Sequence, residues 1–175
     1  MKNILYILLA IVIIGGGVFA FRKKTAPVIE GVIPSYKDAT YQIDGTAIAL
    51  KDGASETEAA PGSTSKIVTK YFGNEARGDV NGDGTEDVAF LLTQTNGGTG
   101  TFYYTAVALK TDTGYQGTNG ILLGDRIAPQ TTEIKDGKII VNYADRKPGE
   151  PMTTDPSVGI SKNFQVAGIV LSEVK

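Results

Sequence analysis

The chain has no cysteine, no histidine and no tryptophan among its 175 residues. Without cysteine there can be no disulfides, thiolate metal sites or cysteine nucleophile, and no lipid on a cysteine after a signal peptide. Without histidine the commonest general base is missing, and with it the usual ligand for zinc or copper. Chemistry must run on carboxylates, lysine, tyrosine and hydroxyls, or on a hard cation held by oxygen. That lowers the expectation of an enzyme, because proton transfer most often uses histidine.

A basic stripe is also missing. The formal net charge is −2, but Lys2, Arg22, Lys23 and Lys24 all fall in the first 24 residues, where no acid occurs. The remainder carries 13 basic residues against 19 acidic ones. An acidic domain of this kind is a poor partner for nucleic acid, and that class is excluded.

One long apolar run is present. "ILYILLAIVIIGGGVFAF", Ile4 to Phe21, holds no charge. As a helix it would span about 27 Å, close to the hydrocarbon thickness of a bilayer. A cleavable signal peptide would end near Val18-Phe19-Ala20, but the run exceeds an ordinary signal core, which favours an uncleaved single-pass anchor over residues 1–24. Three basic residues after the run hint at a cytoplasmic domain by the positive-inside rule. The metal chemistry argued below outweighs that hint. Residues 25–39, with Pro27 and Pro34 and no sustained period, read as a tether.

Residues 40–175 read as one all-β domain: an antiparallel sandwich or barrel of about seven to nine strands. Asp44-Gly45 and Asp136-Gly137 each separate two apolar-rich runs and supply the positive φ values of a tight hairpin turn. "DVAFLLTQ" and "TFYYTAVALK" flank a glycine-rich connection, with Val88, Phe90 and Leu92 on one strand face and Phe102, Tyr104, Ala106 and Ala108 on another. "SKIVTKYF" and the closing "FQVAGIVL" add two further runs. Some helix is conceivable around residues 54–66, interrupted by Pro61 and Gly62.

The densest signal is "GDVNGDGTED", residues 78–87. Asp79, Asn81 and Asp83 stand at alternate positions, Gly84 follows, and Thr85 and Asp87 continue the spacing. Calcium takes six to eight oxygens in flexible geometry, and a tight loop can turn every second side chain inward. Glycine permits the reversal, and the Thr85 carbonyl adds an oxygen. Left empty, such carboxylates repel one another. Magnesium fits less well, because it keeps more of its water. Phe90 stands where an EF-hand would place a closing glutamate, so Asp87 is the expected closing ligand. The stretch is similar to the calcium loops of FG-GAP repeats in integrin-type propellers, in one copy. An affinity without that glutamate suits the millimolar calcium outside cells, and so an extracytoplasmic domain.

"APGSTSKIVTKYFGNEARGDVNGDGTEDVAFLLTQ", "GTFYY", "LLGDRIAPQTTEI" and "VNYADRKPGEPM" together resemble a family of uncharacterised bacterial envelope proteins. In some of its members this unit precedes a META-type domain. The resemblance implies a secreted or anchored domain and supplies no catalytic residues. In the same stretches Asp125, Arg126, Glu133, Tyr143, Asp145, Arg146 and Glu150 lie near strand ends. One reading is a polar groove for a glycan or an envelope protein, with Tyr143 as a stacking surface. The favoured reading is arginine–carboxylate pairs that pin loops. The expected function is therefore a membrane-tethered calcium-binding β domain with a structural or partner-binding role. The alternative is a carboxylate-based, glycan-directed hydrolase using Asp145 and Glu150.

Overall fold

The computed structural model describes residues 34–175. The apolar run 4–21 and most of the tether lie outside the described residues. Twelve strands follow in chain order: β1 (Thr40–Ile43), β2 (Thr46–Ala49), β3 (Ala54–Glu58), β4 (Lys66–Gly78), β5 (Asp87–Thr95), β6 (Phe102–Thr111), β7 (Gly114–Gly117), β8 (Ile121–Asp125), β9 (Ala128–Lys135), β10 (Lys138–Asp145), β11 (Val158–Ala167) and β12 (Val170–Val174). A single 3-10 turn, Tyr36–Asp38, precedes them, and no α-helix occurs among the described residues. None of these elements could cross a membrane as a helix.

All strand ladders are antiparallel and form three sheets. One has the order β3-β4-β5-β6-β7, with β8 also paired to β6; the second has the order β12-β11-β10-β9; the third is the β1–β2 hairpin. The hairpin turns follow from local chemistry. Asp44 and Gly45 both have positive φ (49° and 78°), as do Asp136 and Gly137 (51° and 73°), and this backbone matches the twist of the strands it joins.

The order of layers is written in β5. Its run Asp87–Leu92 is buried throughout, which is the mark of a strand covered on both faces. Ala89 and Leu91 face one way, with Val107 and Leu109 of β6, and meet Ile139, Val141, Tyr143, Phe164 and Leu171 of the four-stranded sheet. Val88, Phe90 and Leu92 face the other way, with Tyr104, Ala106 and Ala108, and meet Tyr41, Ile43, Ile48 and Leu50 of the hairpin. The two expected face groups are thus neighbours on a single face, in register Val88↔Ala108, Phe90↔Ala106 and Leu92↔Tyr104. The hairpin can lie this close because Gly117 and Gly120 have no side chain: a Cβ at Gly117 would overlap the Thr40 carbonyl oxygen, and one at Gly120 the Ile43 side chain.

Three details differ from the sequence reading. Residues 54–66 form β3 and the turn into β4, with no helix. "FQVAGIVL" is not one run; it breaks at Gly168, whose φ of 60° closes the β11–β12 hairpin. The folded unit also reaches into the expected tether. Ala39 is buried in the hairpin core and Tyr36 packs against it.

Candidate metal site and the polar strand ends

The acidic loop joins the end of β4 to the start of β5, at one margin of the central sheet. Its curvature is set by its own side chains. Asp79 accepts the backbone N–H groups of Asn81 and Gly82 at Oδ1 (3.2 and 2.7 Å) and that of Gly84 at Oδ2 (2.8 Å). Asp83 Oδ1 accepts both the N–H and the hydroxyl of Thr85 (2.7 and 2.6 Å), while its Oδ2 accepts the Asn81 amide at 2.9 Å. Such turns are what Asp and Asn offer a backbone that must reverse. Gly84 (φ 82°) supplies the reversal expected of it, and a Cβ there would meet nothing.

Asp87 behaves differently. It is fully buried, and its two oxygens accept the N–H of Val80 (3.2 Å) and the N–H of Lys110 (2.8 Å). It therefore bolts both the start of the loop and the end of β6 to the first residue of β5. Burial is the main influence on its carboxyl and pushes its pKa up; the two N–H donors oppose this, and the charges of Asp83 and Asp79 reinforce it. Asp79 is pulled down, chiefly by the Gly84 and Gly82 N–H groups, and Asp83 chiefly by Thr85. At neutral pH both loop carboxylates are charged. Among the described residues none of Asp79, Asp83 and Asp87 makes an ion pair; Arg77 reaches Glu86 instead, at 3.6 Å.

The donor chemistry fits calcium: carboxylates, an amide oxygen, a hydroxyl and backbone carbonyls, with no nitrogen or sulfur ligand. The convergence is incomplete. No group of three acidic side chains is drawn together on one point among the described residues. Asp83 stays exposed and Asp79 half-buried, while Asp87 is held inward by its backbone donors. Beside the loop lies an open cleft of about 510 Å³ lined by Asp83, Thr85, Lys110, Thr111 and Asp112.

The polar residues of the second region gather without forming the stacking groove. Tyr143 is only 1% exposed; it sits in the inter-sheet core and donates its hydroxyl to the Leu123 carbonyl at 3.3 Å. The expectation of a stacking surface there is corrected: β10 alternates, so Tyr143 shares the inward face of Ile139 and Val141. Asp125 pairs with Arg126 at 3.0 Å and accepts the Thr101 N–H. Burial raises the Asp125 carboxyl, but those donors outweigh it and leave the group below its ordinary range. Arg146 donates to the Arg126 and Thr154 carbonyls, tying the β8–β9 turn to the loop after β10. Asp145 accepts the Arg146 N–H and Glu150 the Lys147 N–H, so each is turned back on its own loop. Glu133 stands away from these, on the exposed side of β9 beside Thr131. The arrangement is that of loops pinned by arginine.

One cluster has no counterpart in the sequence reading. The Tyr36 and Tyr71 hydroxyls both donate to Glu75 Oε2 at 2.7 Å, and Arg77 donates to Oε1 at 3.2 Å. The three donors come from both ends of a 42-residue span, so no local motif marks them. No family model, curated protein or solved structure matches the chain.

Proposed function

We propose that the folded domain of residues 34–175 is an extracytoplasmic calcium-binding β sandwich, tethered by a membrane anchor in residues 1–24 and serving as a structural or partner-binding module of the cell envelope. One observation carries the metal reading. Asp79, Asp83 and Asp87 set like charges within one nine-residue loop, and no cationic side chain among the described residues pairs with any of the three. A divalent cation removes that repulsion and favours the carboxylate form of Asp87 against its burial. Asp79, Asn81, Asp83, Thr85 and Asp87 would hold the ion. In doing so they would clamp the end of β4 to the start of β5, and through the Asp87–Lys110 bond to β6. The outward location rests on the same chemistry, since a single loop without a closing glutamate suits high external calcium.

Thermal unfolding with calcium and with a chelator tests this reading. The melting temperature rises with calcium in the wild type, and Asp83→Ala abolishes the rise. Identical wild-type curves in calcium and chelator would remove the metal from the account.

A further inference from the structure

We propose that Ser35–Ala39 is a latch over the hairpin core, able to open while both large sheets stay folded. The segment adds no strand to any sheet. It is held instead by side-chain contacts and a few backbone bonds. The Tyr36 ring lies among Tyr71, Phe90 and Tyr115, with centroids 6.0, 5.8 and 5.7 Å away. Its hydroxyl reaches Glu75, its carbonyl accepts the Tyr41 hydroxyl at 2.6 Å, and the Lys37 ammonium stands 4.1 Å from the Tyr71 ring centroid.

The backbone bonds all run to one turn. Leu50 N–H donates to Ala39 O (3.1 Å) and Gly53 N–H to Lys37 O (2.8 Å), while Asp52 N–H donates to Asp38 Oδ1 (2.8 Å). Asp38 and Asp52 are exposed while Ala39, Leu50 and Gly53 are buried, so the segment seals the edge of the hairpin core with three bonds, and their loss together is a local opening.

The catch itself has a built position. β4 loses register on both sides of Gly73, and Gly73 and Asn74 take positive φ (109° and 51°). Glycine and asparagine accept the left-handed region more readily than other residues, so this pair can form a bulge, and a bulge re-aims the residues beside it. The residue beside it is Glu75, the shared acceptor for Tyr36 and Tyr71. Lifting the latch breaks that contact and bares the aromatic bed of Tyr71, Phe90 and Tyr115. This inference does not depend on calcium.

Amide hydrogen exchange on the full chain decides it, comparing the wild type with Tyr36→Ala and Glu75→Ala. In both variants the Leu50, Asp52 and Gly53 amides exchange about tenfold faster or more, while the ladder amides of β5–β6 and of β9–β12 keep their protection. Glu75→Ala removes an exposed acceptor without opening a core cavity, so its result stands even if Tyr36→Ala does not fold. Unchanged exchange at the three amides in Glu75→Ala would overturn the latch. So would an equal rise across β9–β12, since the segment would then open only with the whole fold.

Discussion

Asp87 shows how one residue can serve a fold before it serves a ligand. Its charge is buried, which is costly, and the cost is offset by two backbone N–H groups from separate segments. Asp87→Ala leaves the N–H groups of Val80 and Lys110 without acceptors, and each orphaned group costs about 1–3 kcal/mol. Urea unfolding should therefore show Asp87→Ala well below Asp83→Ala when both are measured in chelator, because Asp83 bonds only within its exposed loop. Tyr143 gives a second residue-scale test. Tyr143→Phe loses one hydrogen bond, about 0.5–1.5 kcal/mol, whereas Tyr143→Ala opens a core cavity and costs about 3–5 kcal/mol. A surface tyrosine would show neither loss. The acidic spacing was legible because a turn is built from neighbours in sequence. The burial of Tyr143 was legible too, in the alternation Ile139, Val141, Tyr143, but its place near a charged stretch made it look like surface. That Asp87 is buried depends on Lys110, which no local pattern reveals.

Among the elements, the two Asp-Gly hairpins were readable because the turn chemistry is complete within two residues. Asp52-Gly53 carries the same positive φ pair (51° and 79°) and turns the chain between the hairpin and β3. Short strands are the reason twelve formed where seven to nine were expected: β7 and β8 offer four and five residues, too few to show a period. The docking of the β1–β2 hairpin was also hidden, since it depends on the absence of side chains at Gly117 and Gly120. Gly117→Ala forces a Cβ against the Thr40 carbonyl and should cost about 1–3 kcal/mol or more, as overpacking does. Denaturant unfolding checks this, and Gly159→Ala serves as the control, because a Cβ there meets nothing within 4 Å.

The described residues form three layers around two cores, with β5 and β6 shared by both. Its stability against pH joins contributions of opposite sign. Burial raises the Glu75 carboxyl, but hydrogen bonds from Tyr36, Tyr71 and Arg77 win and hold it below its ordinary value of 4.5. Its contribution is present above pH 4.5 and disappears as pH falls through the folded value. Asp87, raised by burial, contributes in the other direction: its share is complete below 3.8 and is lost as pH climbs through the folded value. Glu75→Gln should flatten the acid limb of a stability–pH curve, and an unaltered limb would show that the network is not coupled to folding. On the function proposed above, the loop from Asp79 to Asp87 takes a cation. Equilibrium dialysis of the full chain against calcium in the millimolar range tests it most directly. The wild type is expected to bind about one ion per chain and Asp83→Ala none. Equal binding by the two proteins, or no bound ion in the wild type at saturating calcium, would contradict it.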